Sequence, residues 1–370
     1  MEQKKRVKFT NKSKTQFFKT LKQRADQYFV DNNIKQVGNA GMVFKTFVML
    51  SMYLLPFAAI YIFELPAWGV ITCFVISGFG VAGSGMSVMH DANHGAYSDK
   101  KWVNSLLGGT LNILGGYDVN WRLQHNILHH TYTNITHVDE DIEQRLKMRW
   151  TPFAKWYPVQ RFQHVYAFFA YCLGTLSWVV MKDYKQYFTY SKNGVNKCSK
   201  NEYYWGMFKL FFFKAIYLVY TLVIPIAVLG YSAGLIIGGF LLMHAIGGFV
   251  LSTVFQLAHV VEGVHFPMPN DKGEIENEWA IHQLLTTADF AHDNKLLTWY
   301  AGGLTHQIEH HLFPNICHMH YPKLAKIVQE TAEEFGLPYY YNSGYFSALK
   351  SHIRTLKKFG LQSDFDLANV

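Results

Sequence analysis

Residues 68–89, WGVITCFVISGFGVAGSGMSVM, contain no charged side chain and run directly into the motif HDANH at residues 90–94. Two further histidine groups, HNILHH at 125–130 and QIEHH at 307–311, also lie just past apolar stretches. Imidazole is a ligand that iron, zinc and copper share, so seven histidines grouped at helical spacing predict a metal centre larger than one ion needs. The combination predicts a membrane metalloenzyme.

The composition agrees with a membrane location. Half of the 370 residues are hydrophobic, only 16% are charged, and the apolar residues are gathered into blocks. The net charge of +8 is compatible with nucleic-acid binding, but the basic residues flank apolar segments, so anionic lipid is the more economical partner and no nucleic acid is expected. The four cysteines are scattered without a CxxC pair, which favours packing roles in a reducing compartment.

Four stretches are long and apolar enough to cross a bilayer, which takes about 20 residues per helix. They lie at about 43–63, 68–89, 208–229 and 231–258 and form two pairs joined by short turns. We therefore predict an all-α integral membrane protein with two transmembrane helical hairpins, four spans in all. A cytoplasmic helical cap would hold the histidine-rich metal site.

A fifth apolar stretch, at 165–181, is shorter and contains a glycine. If the three histidine groups share one site, they share one side of the membrane, so an even number of spans separates the second group from the third. Counting 165–181 as a span would give three. The lysine-rich loop that follows it also belongs on the cytoplasmic side with the basic N-terminus. We interpret 165–181 as a re-entrant or interfacial helix.

These considerations divide the chain into five regions with the N-terminus and the active site in the cytoplasm. The regions are a basic N-terminus (1–42), a first hairpin (43–89), a cytoplasmic part with the first two histidine groups (90–207), a second hairpin (208–258) and a cytoplasmic part with the third group (259–370). Within the first region, apolar residues recur every three or four positions from Phe17 to Phe29. This pattern predicts an amphipathic helix lying on lipid headgroups, with a frayed basic tail as the alternative.

The spacing of the histidines favours iron. His90 and His94 are four residues apart, as are His125 and His129, so each pair shares one helix face and can close on one ion. The neighbouring His130 and His311 can reach a second ion. No histidine is followed by glutamate, which excludes the HExxH zinc proteases, and an almost wholly imidazole ligand set suits iron that binds dioxygen. A site at the bilayer edge favours a lipidic substrate with unactivated CH2 groups.

The boxes HDANHG, HNILHHTYTN and GGLTHQIEHHLFP resemble those of the membrane fatty acid desaturases, over about His90 to His320 within a catalytic domain of about 65–345. The glutamine that opens the third box is similar to the front-end branch, which adds a double bond between an existing one and the carboxyl end, as linoleoyl-CoA desaturases do. The resemblance implies a cis double bond made in an acyl-CoA or membrane-lipid acyl chain. It also implies two iron ions, dioxygen as co-substrate, two external electrons and two waters released.

The resemblance assigns roles to particular residues, and none is catalytic beyond the metal ligands. The implied ligands are His90, His94, His125, His129, His130, His259, Gln307, His310 and His311. Gln307 stands where other desaturases have histidine, and His306 lies one place earlier, so either can complete the shell; we favour Gln307 because it matches the branch. The chain has no HPGG haem motif, so a separate ferredoxin or b-type cytochrome with its reductase is the expected electron donor.

Ligand histidines usually donate their second ring N–H to a carboxylate or a carbonyl. Five acidic residues lie close enough in sequence to play that part, namely Asp91, Asp139, Glu140, Asp141 and Glu309, and we select Asp91, Asp139, Asp141 and Glu309 as candidates. The histidines outside the boxes are interpreted as surface or capping residues: His164, His282, His292, His318, His320 and His352.

Two other functions compete with desaturation. A fatty acyl or lipid hydroxylase of the same superfamily would use a similar site, since geometry alone decides whether oxygen is inserted or a second hydrogen leaves. A histidine-rich membrane metal transporter or a receptor-like zinc hydrolase would require more spans and intramembrane carboxylates, whereas this chain shows mainly Glu64, at a helix end.

Overall fold

The computed structural model describes residues 7–143 and 147–361. These residues form eighteen α-helices: α1 (Phe17–Asp31), α2 (Ala40–Ile62), α3 (Ala67–Gly83), α4 (Met89–Asn93), α5 (Lys101–Gly108), α6 (Thr110–Ile113), α7 (Asp118–Arg122), α8 (His130–Tyr132), α9 (Gln163–Cys172), α10 (Gly174–Ser177), α11 (Asp183–Lys192), α12 (Lys200–Leu218), α13 (Ala233–His259), α14 (Trp279–Thr286), α15 (Lys295–Tyr300), α16 (Gln307–Leu312), α17 (Tyr321–Glu334) and α18 (Tyr345–Leu361).

Wider and tighter helical segments join several of these helices. Four are π-helical: Ser84–Val88, Leu123–His129, Trp178–Lys182 and Val219–Val228. Three are 3₁₀ turns: Glu140–Ile142, Pro158–Phe162 and His318–His320. The β-structure of the described residues is limited to four two-residue strands that form two parallel pairs: β1 (Lys8–Phe9) with β2 (Glu274–Ile275), and β3 (Asp289–Phe290) with β4 (Tyr341–Asn342).

Four helices are long and apolar enough to cross a membrane, which confirms the prediction of four candidate spans in a mostly helical chain. They cover Ala40–Ile62, Ala67–Asn93, Lys200–Val228 and Ala233–His259. Polar caps mark where three of them begin, because Asn39, Ser199 and Ser232 each accept a backbone N–H of the first turn. The third span begins earlier than the sequence suggested, at the capping box of Ser199 and Glu202.

The two loops that join the spans lie together at one end of the bundle. The Tyr231 hydroxyl donates to the Phe63 carbonyl at 3.1 Å and accepts the Leu65 backbone N–H at 3.0 Å. Gly230 takes a positive φ of 74°, which closes the second turn at little steric cost. The histidine-bearing ends of the second and fourth spans therefore lie away from these loops, at the other end of the bundle.

Small residues let the second and fourth spans approach closely. A Cβ placed on Gly78 would come within 2.9 Å of both the Ile246 Cβ and the Met243 carbonyl oxygen. A Cβ on Gly239 would overlap the Phe74 ring at 2.1 Å. Glycine is therefore required at these crossings, as is common where membrane helices pack through their backbones.

The fifth apolar stretch is part of a broken helix. The segment Pro158–Cys172 meets Gly174–Lys192 at a bend of 58°, a geometry that fits either a broken span or a re-entrant loop. Buried polar contacts fasten this segment to the spans. The Lys214 ammonium donates to the Asp183 carboxylate at 2.5 Å and to two backbone carbonyls, and the His244 ring contacts the Thr175 hydroxyl at 3.0 Å.

The N-terminal apolar stripe packs against protein. The predicted amphipathic helix is present as α1, but its apolar face, formed by Phe17, Leu21, Ala25 and Phe29, is buried in a core shared with α14, α16 and α17. The prediction that this face lies on lipid headgroups is therefore wrong. The pattern identified the helix correctly but could not identify its partner, because protein and lipid both cover an apolar stripe. Residues 1–6 and 362–370 of the predicted terminal regions lie outside the described part of the chain.

We expect Lys214→Ala to destabilise the protein by about 3–5 kcal/mol, because it leaves the buried Asp183 carboxylate without its charged partner. Lys209→Ala, which removes an exposed lysine from the same helix, is the matched control. Thermal unfolding of both variants in the same detergent measures the difference. Equal melting temperatures for the two variants would show that the buried pair contributes nothing.

Candidate metal centre

The three histidine groups meet at one place, although they lie far apart in the sequence. The first comes from α4 and the residue after it, the second from the π-helical segment and α8, and the third from α16. The Nε2 atoms of His90 and His125 are 3.2 Å apart, and the rings of His90 and His310 lie 4.5 Å apart between centroids. His259, the last residue of α13, joins them with its ring 4.9 Å from that of His311.

The ring nitrogens form two adjacent groups. His90, His94, His125 and His310 make up the first, and His129, His259 and His311 make up the second; within each group the nearest ring nitrogens all lie within 4.8 Å of one another. His130 stands beside both, since it also forms such a group with His310 and His311. The arrangement therefore offers ligands for two ions next to each other.

A π-helical turn sets the register of the second box. Across Leu123–His129 the backbone hydrogen bonds span five residues instead of four, so side chains five apart come onto one face. The Nε2 atoms of His125 and His130 accordingly lie 3.2 Å apart. His125 and His129, the pair suggested by the sequence, also stay close together, with ring centroids 5.4 Å apart.

The chemistry of these side chains fits a metal. Burial, reinforced by the neighbouring imidazoles, holds the pKa of His125, His130, His310 and His311 well below the ordinary value, so these rings are neutral at pH 7, as metal ligands need to be. Several buried ring nitrogens have no hydrogen-bond partner among the described residues, namely Nε2 of His94, His129, His259, His310 and His311. An unsatisfied buried nitrogen is costly unless something coordinates it.

The outward nitrogens of several rings are held by other groups. The Nδ1 of His129 lies 3.0 Å from Asp139, and although burial lowers the pKa of this histidine, the carboxylate more than offsets that effect and the pKa is raised. The Nδ1 of His311 lies 2.9 Å from the Gln283 side-chain oxygen. Such contacts fix the tautomer and turn the other nitrogen toward the centre.

Asn134 links the second box to the end of the fourth span. Its backbone takes a positive φ of 58°, and its side-chain amide donates to the carbonyls of His259, His265 and Thr286 at 2.9 to 3.3 Å. Its backbone N–H donates to the Asp139 carboxylate at 3.0 Å. One residue therefore fixes the relative positions of the segments that carry the second box and His259.

The acidic residues chosen from the sequence have different surroundings. Asp139 contacts the His129 ring directly, and Asp141 lies 3.8 Å from the same ring and accepts from Gln124. Glu309 instead lies against Tyr339 at 3.1 Å, where burial and then the adjacent Asp289 carboxylate raise its pKa well above the usual range. A role for Glu309 at the metal stays a prediction.

Six histidines outside the boxes were assigned to the surface or to caps, and a surface position is wrong for the four that are buried. They are His282, His318, His320 and His352. His282 bonds to the Thr133 carbonyl at 2.9 Å, directly after the second box, and His318 bonds to Asp91 at 2.8 Å. A single histidine carries no sequence signal for such contacts, which arise only from the tertiary fold.

Comparison with known proteins places the chain. The sequence profile of the fatty acid desaturases matches residues 65–343. The chain belongs to the fatty acid desaturase family. Its curated relatives include proteins named sn-1 linoleoyl-lipid 6-desaturase from Arthrospira platensis, 36% identical over 94% of both chains, and from Synechocystis sp., 35% identical over 97% of this chain and 99% of the relative. An acyl-lipid (8-3)-desaturase from Physcomitrium patens is 32% identical over 96% of this chain and 74% of its own length.

These findings confirm the resemblance drawn from the boxes and the front-end branch suggested by Gln307. The desaturase is an oxidoreductase that depends on oxygen, and neither the hydroxylase nor the transporter alternative is supported. Gln307 and His306 are neighbours in the sequence but lie in different surroundings in the desaturase. Gln307 is the buried first residue of α16, whereas His306 precedes that helix and stacks on His292 with centroids 4.1 Å apart.

Replacing Gln283 with leucine is expected to weaken metal binding roughly 10- to 100-fold, because the His311 ring loses the acceptor that orients it. Metal content after purification and the rate of metal extraction by a chelator measure the effect. Gln329→Leu, an exposed change on α17, is the control and should match the wild type. Unchanged extraction from Gln283→Leu would rule out this positioning role.

Proposed function

We propose that the chain introduces a cis double bond into an acyl chain carried by a membrane lipid, between an existing double bond and the carboxyl end, with a linoleoyl chain as substrate. The convergence of eight imidazoles beside the ends of the second and fourth apolar helices carries this proposal. The relatives named linoleoyl-lipid 6-desaturase support the lipid-linked substrate over an acyl-CoA.

We assign the metal ligands to His90, His94, His125, His129, His130, His259, Gln307, His310 and His311. Two iron ions, when bound there, supply the oxidising power needed to remove hydrogen from an unactivated CH2 group. The reaction takes two hydrogens from the chain, and dioxygen receives them with two external electrons and two protons to give two waters. The protein binds and orients the acyl chain and excludes water.

Gln307 is favoured over His306 by its place on the helix. Gln307 lies three and four residues before His310 and His311, so the three side chains share one face of α16. His306 is engaged elsewhere, with its Nδ1 3.0 Å from the Thr305 hydroxyl and its ring on His292. A glutamine ligand is neutral, as the imidazoles are.

We further propose that the four spans form two hairpins with the histidine centre and the N-terminus on the cytoplasmic side. The contact between the two connecting loops supports this topology, since it puts both turns at one end. Basic residues cluster at the other end, before α2 and in the segment that leads into α12, as the bias of lysine and arginine toward the cytoplasm requires. The bent segment over 165–181 is then re-entrant or interfacial, and the electron donor is a separate ferredoxin or b-type cytochrome.

Expression in a host that lacks polyunsaturated lipids, supplied with linoleate, tests the reaction. We expect a product with one more cis double bond on the carboxyl side of the existing ones, found first on membrane lipids, and none with the His310→Ala variant. Mass spectrometry of the extracted lipids locates the double bond. Gain of one oxygen instead of loss of two hydrogens would identify a hydroxylase, and an unchanged profile from iron-loaded protein with a working reductase would contradict the proposal.

Measurement of the iron content tests whether Gln307 or His306 is the metal ligand in the third box. We expect Gln307→Ala to lower the iron bound per chain and His306→Ala to retain it, because only the former removes a proposed ligand. Gln307→His should keep iron, since imidazole can replace the amide. Iron lost from His306→Ala but retained by Gln307→Ala would reverse the assignment.

A further inference from the structure

Lys45 is a buried charged residue in the first span, which contributes no proposed metal ligand. Its side chain is only 1% exposed, and its ammonium lies 2.7 Å from Nε2 of His318. The ring of Trp299 lies 5.3 Å from the same ammonium. A lysine in an apolar helix is costly, so its contacts call for an explanation.

His318 connects this lysine to the first histidine box. Its ring Nδ1 lies 2.8 Å from the Asp91 carboxylate, and its backbone N–H donates to the same oxygen at 3.1 Å. The other oxygen of Asp91 lies 3.7 Å from Nδ1 of His90. The contacts therefore run from Lys45 through His318 and Asp91 to a proposed metal ligand, and all four side chains are buried.

The donors and acceptors in this network of Lys45, His318 and Asp91 can be assigned in only one way. An ammonium group has donors only, so Nε2 of His318 accepts and its Nδ1 carries the proton that is donated to Asp91. The other oxygen of Asp91 lies beyond hydrogen-bond distance of Nδ1 of His90, so the carboxylate acts on this ring through its negative charge, which favours the tautomer with the proton on Nδ1. His90 in that tautomer presents the lone pair of Nε2 to the other ligands.

The same residues do not form a second metal site. Asp91, Cys317 and His318 have potential ligand atoms close together. However, both ring nitrogens of His318 are already engaged, and the Lys45 ammonium supplies the positive charge that balances the Asp91 carboxylate.

We infer that Lys45, His318 and Asp91 are positioning residues that hold His90 in its metal-binding tautomer. The inference rests on the proposed metal centre and extends it, because it makes the occupancy of that centre depend on the seating of α2 against the loop after the third box. The network would then link insertion of the first span to assembly of the site.

Two substitutions of one residue separate the two halves of the network. The asparagine amide nitrogen can occupy the place of Nδ1 and donate to Asp91, and the glutamine amide oxygen can occupy the place of Nε2 and accept from the Lys45 ammonium. His318→Asn thus keeps a donor for Asp91, whereas His318→Gln keeps only the contact near Lys45. We expect iron extraction by a chelator to be roughly 10- to 100-fold faster for His318→Gln and for Lys45→Met than for the wild type, with His318→Asn between them and the wild type.

His320→Gln is the matched control, since His320 lies in the same turn but bonds to the Val37 carbonyl. Mössbauer spectra of the iron-loaded proteins should change for one of the two irons in His318→Gln and for neither in the control. Melting temperatures of the metal-free variants identify any loss of folding. Lys45→Arg keeps a charged donor at this position, so we expect iron extraction from it to be slower than from Lys45→Met. That difference would distinguish a positioning role from a packing role.

Equal extraction rates for His318→Gln, His318→Asn and wild type would overturn the inference while leaving the metal centre intact. Equally fast extraction from His318→Gln and His318→Asn would also overturn it, since the donor to Asp91 would then be irrelevant. A wild-type protein that binds no metal would overturn both the inference and the proposed function. Metal-loaded wild type that fails to desaturate any lipid would contradict the proposed function alone.

Discussion

The structure depends on holding neutral imidazoles in a dry interior with their free lone pairs turned toward one centre. Each buried nitrogen that lacks a hydrogen bond costs roughly 1–3 kcal/mol, and several such nitrogens meet here. A metal-free arrangement of this kind opposes folding unless other contacts offset it. The apolar helices around it supply burial, and the polar segments supply the groups that fix each ring.

Those fixing groups come mostly from segments that carry no proposed ligand. Gln283 on α14 orients His311, and the Tyr321 hydroxyl on α17 lies 3.3 Å from Nδ1 of His310. Both helices pack in the core that α1 completes with Phe17 and Leu21. The N-terminal helix therefore acts on the centre indirectly, because it buries the helices whose side chains contact His310 and His311.

The sequence predicted the parts of the molecule that repeat a pattern. Apolar runs of membrane length identify the four spans, and histidines at helical spacing identify the boxes, because each feature involves many residues that point to one conclusion. Lys45 and His318 could not be found in this way. Each is a single polar residue, and its role follows from partners more than 200 positions away in the chain. The π-helical register at His125 has the same origin, since composition gives no sign of a wider turn.

The spacing between the second and fourth spans helps to set the positions of the histidines that these spans carry. His90 lies in the last turns of the second span and His259 ends the fourth, so the distance and relative height of these two spans decide whether one centre can include both residues. Contact through Gly78 and Gly239 leaves no room for a side chain between the helices. A helix pair held this closely cannot slide without overlap, because each crossing fits backbone against side chain. The glycines in the apolar interior thus help to set the positions of the histidines, as the polar groups do, and the two halves of the protein specify one site together.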